Sequence, residues 1–181
     1  MKKYNFLAVL VISIFIFSCS KRDTTTFPNN TRQGEQQNLS KDQLVDPNKI
    51  RLTLDKVAVT EGQGASEGDF ELRIQAIEGT HNIVWPNASD WIKVDNGGAA
   101  TSIDRTIAVY TLSGSLTKIV NLYVTEVDGG FNGGDDKGSG SISITMSPGM
   151  TPVVKYAYIS LKRPDGKYKG QVKVYIKAQV A

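Results

Sequence analysis

Apolar residues recur at every second position over short runs of the chain. Phe70, Leu72, Ile74 and Ala76 alternate with Glu71, Arg73 and Gln75, which predicts a strand with one wet face. Ile50, Leu52 and Leu54 alternate in the same way, and then the phase slips so that Val57 and Val59 carry the apolar face. A one-residue slip inside a strand predicts a β-bulge near Asp55-Lys56. Further strand-like runs cover 83–85, 91–94, 103–110, 119–127, 141–146, 153–161 and 172–178. Pro86 has no N–H to give to a ladder and interrupts the pairing between the runs at 83–85 and 91–94. Pro164-Asp165-Gly166 predicts a turn, since Pro presets φ and Gly accepts φ > 0. No stretch from 49 to 181 has a helical period. About eight strands with closely spaced turn signals predict an all-β fold, an antiparallel β-sandwich. The 133 residues of 49–181 are the size of one domain with its own core.

The first fifty residues follow another pattern. Lys2 and Lys3 precede an apolar run of 12 residues from 6 to 17, broken only by Ser13. That run is shorter than the roughly 20 residues a membrane-spanning helix needs, and it has the layout of a secretory signal peptide. It ends in Ile16-Phe17-Ser18-Cys19, which resembles the lipobox of bacterial lipoproteins. The resemblance implies that residues 1–18 are a signal peptide cut before Cys19 and that the Cys19 thiol is diacylated, anchoring the chain in a membrane. Cys19 is the single cysteine, so the chain has no disulfide framework and no cysteine-based metal site. Ser20 after the cysteine resembles the outer-membrane sorting pattern of Gram-negative bacteria, and Lys21-Arg22-Asp23 lacks the acidic run of some surface-exported lipoproteins. With only Phe27, Leu39, Leu44 and Val45 as large apolar residues, 20–48 cannot bury enough surface to offset its ordering entropy. With the acylated Cys19 it forms the expected tether, 19–48.

Charge changes the picture by subtraction. Loss of Lys2 and Lys3 with the signal leaves 19 of the 21 basic residues against 18 acidic ones, a formal +1. Nothing in that balance supports nucleic-acid binding. Enzyme chemistry also finds little footing. His81 is the sole histidine and lies in GTHN, a turn-like stretch, while no serine sits in a nucleophile-elbow pattern. Asp135-Asp136 are adjacent and would point to opposite faces of a strand, poor geometry for an acid/base pair.

Two acidic, glycine-rich stretches stand out: Glu61 to Asp69, and TEVDGGFNGGDDKGSGSIS at 125–143. Calcium takes six to eight oxygens from carboxylates and carbonyls on loops that curl, and glycines permit such curling. If 83–85 and 91–94 form one interrupted strand, a meander brings both stretches to the same end. If they are two strands, the stretches lie at opposite ends. The plain alternative is a pair of solvated connectors rich in ordinary turn residues. The strand–loop–strand run from 52 to 74, together with NLYVTEVDGGFNGGDD at 121–136, resembles C-two-type calcium sandwiches. The resemblance implies that Glu126 is a strand-end acid, that Asp128, Asp135 and Asp136 are calcium ligands, and that Glu67 or Asp69 contributes from the first loop. Where that family offers Asp pairs in its first loop, this chain has Glu61 and Glu67.

Near the C-terminus, Lys167, Lys169, Lys173, Tyr175 and Lys177 share one face, opposite Val172, Val174 and Ile176. Lysines along a strand ordinarily mark an edge protected against pairing. The alternative is a basic ligand surface for anionic lipid headgroups or acidic polysaccharide. Trp85 and Trp91 would make a sugar-stacking platform, although their strand-like runs place them in the core. The expectation is therefore a lipid-anchored cell-envelope protein with a non-catalytic binding module. Its partner is a glycan or an envelope protein, and calcium is its candidate cofactor.

Overall fold

The slipped strand near the start of the domain is one of the two longest elements, at 13 residues, and the hub of one half of the structure. In a computed structural model describing residues 45–62, 69–87, 89–127 and 134–181, β1 spans Lys49–Glu61. It is followed by β2 (Phe70–Glu78), β3 (His81–Trp85), β4 (Ile92–Val94), β5 (Thr101–Thr111), β6 (Leu116–Glu126), β7 (Asp136–Met146), β8 (Val153–Lys162) and β9 (Tyr168–Val180). The expected signal peptide, Cys19, most of the tether, Glu67 and Asp128 lie outside the described residues. The last tether residues belong to the fold: Gly149 N–H donates to Pro47 O (2.7 Å) and Leu112 N–H to Asn48 O (2.9 Å).

All strand pairs are antiparallel, in the order β3-β2-β6-β7-β8-β9-β1-β5, with β4 also on β2. β3 pairs with the second half of β2 (Ile74↔Trp85, Glu78↔His81) and β4 with the first (Phe70↔Val94). They are one edge strand broken after Trp85 by Pro86. The predicted bulge is present, with the register shifting between Leu54 and Lys56 against both β5 and β9.

β7 and β8 meet at the single pair Lys137↔Lys162. There the path turns, so that β3/β4-β2-β6-β7 faces β8-β9-β1-β5. Leu72, Ile74, Leu122 and Ile144 from one half share a core with Leu52, Leu54, Val57, Ile159, Val174 and Ile176 from the other. This is the β-sandwich expected from the alternation.

One expectation is corrected here. The glycine-rich stretch at 125–143 is not a loop throughout, because Asp136 onward is strand. Gly138 and Gly140 lie where β7 crosses β8. A Cβ on Gly138 would stand 2.4 Å from the Ser160 carbonyl oxygen, and one on Gly140 would stand 3.2 Å from the Ile159 side chain. These two glycines serve close approach of the strands.

Candidate functional site

Three places collect functional side chains. The first is the end of the sandwich that carries the acidic stretches. Glu126 pairs with Leu72 on one side and Asp136 on the other, and Val127 N–H extends the ladder to Glu71 O (2.8 Å). Because β3 and β4 act as one strand, the connections after β1 and after β6 do emerge at the same end. The structure therefore brings Glu126 and Asp136 face to face across the β6–β7 pair, with Asp136 fully buried and Asp135 half-buried beside it. Asp69 is exposed just before β2. Among the described residues, no three His, Cys, Asp or Glu side chains form a group that could hold a metal. The described carboxylates thus fall short of the six to eight oxygens calcium takes.

The second place is the outer face of β8, β9 and β1. The lysine pattern of β9 does not mark an edge. β9 is an interior strand, paired along its length with β8 and with β1. Strand order is set by pairing with a segment more than a hundred residues away, and the local pattern cannot report it. The expected lysine set divides in two. Lys173, Tyr175 and Lys177 face outward from β9, while Lys167 lies in the β8–β9 turn and Lys169 at the strand's start.

Register then sets Tyr156 opposite Tyr175 and Tyr158 opposite Lys173. The Lys173 ammonium sits 3.7 Å from the Tyr156 ring centre, 5.1 Å from Tyr175 and 5.3 Å from Tyr158. Lys56 lies over the Tyr175 ring at 4.8 Å, and Lys177 pairs with Asp55 at 3.1 Å. Desolvation pulls the Lys173 ammonium down, but the Tyr175 and Tyr158 hydroxyls outweigh it and hold the group above the ordinary lysine value. Tyr156 and Tyr158 each keep about half their surface exposed (52% each), so the rings remain open to a ligand. Neither was singled out from the sequence. The signal was there, since Val154, Tyr156 and Tyr158 alternate with Val153, Ala157 and Ile159. The tryptophans divide as well. Trp85 packs against the core, but Trp91 is 48% exposed, because it lies just outside β4 and not within a strand.

The third place is at the opposite end of the sandwich. Glu78 continues the buried phase of β2 and is only 3% exposed. Tyr110 O–H donates to its Oε2, Lys118 Nζ lies 2.9 Å from Oε1, and His81 Nδ1 lies 3.3 Å from Oε2. His81 opens β3 instead of lying in the turn expected for GTHN.

Solved structures give a partial match to this frame. One described as "Structure of a C2 domain" covers 71% of the chain and 95% of its own, at 16% identity and TM-score 0.36. A C2 domain of plant extended synaptotagmin 1 covers 74% and 93%, at 12% identity and TM-score 0.35. The chain is similar to C2 domains. At these values the similarity transfers no residue role. No family model and no curated protein matches the chain.

Proposed function

We propose that this is a lipid-anchored, non-catalytic protein of the cell envelope, held in the outer membrane through Cys19, that binds acidic glycan on its Tyr156–Tyr158–Tyr175–Lys173 face. The observation that carries this reading is the ring of three tyrosines around one ammonium. Tyrosines supply large, rigid contact area, and a lysine held among them supplies a cation for a carboxylate or sulfate on a sugar. The alternative occupant of the face is an envelope protein.

The test is a titration of the full chain in detergent with polygalacturonate, alongside neutral dextran. Polygalacturonate is expected to bind, and Lys173→Gln or Tyr158→Ala to weaken it by at least about tenfold, as loss of a central anchor does. Binding should weaken as salt rises, because partly exposed charges are screened. Equal binding of dextran, or no change in either variant, would overturn the glycan reading in favour of a protein partner.

A second reading is calcium support, favoured by the meeting of Glu126 and Asp136 at the end where both acidic connections emerge. It requires ligands such as Asp128 and Glu67, outside the described residues. Thermal melting of the full chain without glycan separates the readings. Melting should be equal in millimolar calcium and in chelator, and a rise with calcium that disappears in Asp135→Asn/Asp136→Asn would establish the second.

The anchor has its own test. Acyl chains contribute about 0.8 kcal/mol per buried methylene, so two or three hold a protein durably. Wild-type protein should partition into detergent and incorporate labelled palmitate, and Cys19→Ala should move to the aqueous phase. A Cys19→Ala protein that still fractionates with membranes would remove the anchor from this proposal.

A further inference from the structure

The turn joining β8 to β9 builds a charged cleft separate from the tyrosine face. Arg163 N–H donates to Lys167 O and Gly166 N–H to Arg163 O, both at 2.9 Å. Gly166 has φ +82°, which only glycine adopts at little cost. Asp165 fastens the turn from outside: its Oδ1 accepts Lys167 N–H at 2.9 Å and its Oδ2 lies 3.4 Å from Lys167 Nζ. Two cationic residues are thereby held in fixed relation before any ligand arrives.

Beside the turn is a cleft of about 410 Å³, lined by Gly62, Arg163, Lys167, Tyr168 and Lys169. That is within the size range of small-ligand sites. The Tyr168 hydroxyl donates to Glu61 at 2.5 Å, which fixes the phenol against the end of β1. Hydrogen bonding to Glu61 is the main reason that the Tyr168 phenol is pushed up to about 12, so it stays protonated. Arg163 is different. Its Nε is buried and has no acceptor among the described residues. A buried guanidinium N–H without an acceptor is costly, and charged donors are the costliest to leave unmet. That nitrogen is closed to solvent, so an anionic oxygen in the cleft, which two further cationic side chains line, meets it once the half-buried Arg163 side chain turns toward the opening.

We infer that this cleft is an oxyanion site, with the Arg163 guanidinium as its principal donor and Lys167 as a supplementary charge. Its ligand is a single phosphate, sulfate or carboxylate group. Glu61 and Asp165 offset two of the three positive charges, which favours one such group over a polyanion. From Lys169 to Lys173 is four residues, about 13 Å along a strand, so the cleft and the tyrosine face are separate sites.

The experiment follows the Arg163 Nε–H resonance in the full chain. Sodium sulfate, sodium phosphate and sodium glucuronate are added in turn, with chloride holding the ionic strength constant. At least one anion should shift that resonance saturably. Saturation by sulfate and phosphate alone assigns tetrahedral oxyanions, and saturation by glucuronate alone assigns carboxylates. Arg163→Gln should weaken the interaction by at least about tenfold, read from amides of the turn, as loss of a charge-assisted hydrogen bond does. Lys167→Gln, an exposed substitution that leaves the turn's backbone bonds in place, should weaken it by a few-fold. Lys173→Gln should leave it unchanged, so failure of the glycan reading and failure of this one are told apart. A linear, non-saturating response to all three anions, or equal affinity in Arg163→Gln, would overturn the site.

Discussion

Glu78→Ala is expected to cost about 3–5 kcal/mol of stability, the range found when one partner of a buried charge pair is removed. In a domain of this size that lowers the melting temperature by roughly 10 °C or more. Glu78 is 3% exposed and joins four strands: its own β2, His81 of β3, Tyr110 of β5 and Lys118 of β6. β3 and β5 are the two ends of the strand order, and this cluster ties them across the open seam. Its loss leaves Lys118 and the Tyr110 hydroxyl without their carboxylate. Tyr110→Phe removes one neutral donor and should cost less, about 1 kcal/mol.

The cluster also sets a pH dependence. Burial pushes the Glu78 carboxyl up, but hydrogen bonds from Lys118, Tyr110 and His81 together with the Lys118 charge outweigh it, leaving the group below its ordinary 4.5. A carboxylate with a depressed folded value stabilises fully above its unfolded pKa, and that contribution fades as pH falls through the folded value. Burial, and then Glu78, raise the Tyr110 phenol well above its ordinary range. Its contribution is therefore present below about pH 10 and lost only in stronger alkali. The melting difference between wild type and Glu78→Gln should be constant at neutral pH and shrink below about pH 4.5. A difference that persists unchanged to about pH 2, below the usual carboxylate range, would mean that Glu78 does not stabilise as a carboxylate.

Glu78 also illustrates what could be read from the chain. Alternation from Phe70 through Ala76 places position 78 on the buried face by the same rule, but a glutamate there breaks the apolar pattern, and the run reads as ending at Ala76. The bulge in β1 and the Pro-Asp-Gly turn were legible because their causes are local. Three other features were not. The lysines of β9 are interior because β9 pairs with β1, which lies far away in the chain. The tyrosine ring around Lys173 depends on the β8–β9 register, which a list of alternating residues leaves open. In β7 the period-two signal vanishes at Gly138 and Gly140, since a glycine has no side chain to mark a face. There β7 passes close over Ile159 and Ser160 of β8. Glu126 was legible at the end of the run 119–127, but Asp136 stood five residues before the next expected run at 141–146, so their pairing was not legible, and the expected partners at 67 and 128 lie outside the described residues.

Gly138→Ala tests the reading of that glycine stretch as sheet. A methyl group at 138 would stand 2.4 Å from the Ser160 carbonyl oxygen and 2.7 Å from the Ile159 side chain. The nearer atom is backbone, which has no rotamer with which to yield, so β7 and β8 must separate. Their single ladder pair, Lys137↔Lys162, is adjacent and would be strained. Overpacking of this kind costs about 1–3 kcal/mol, and a backbone obstacle places Gly138→Ala at the upper end. Gly140→Ala meets side-chain atoms and no backbone, Ile159 at 3.2 Å and Ala157 at 3.8 Å, and should cost less, under about 1.5 kcal/mol. Gly114→Ala meets nothing within 4 Å and has no left-handed backbone to strain, so it should be neutral or slightly stabilising. Urea denaturation of the three variants should rank them in that order, with the largest fall in midpoint for Gly138→Ala. If 136–143 were a solvated connector, all three would behave alike. Equal midpoints would therefore contradict the crossing of β7 over β8, and with it the corner that turns this sheet into a sandwich.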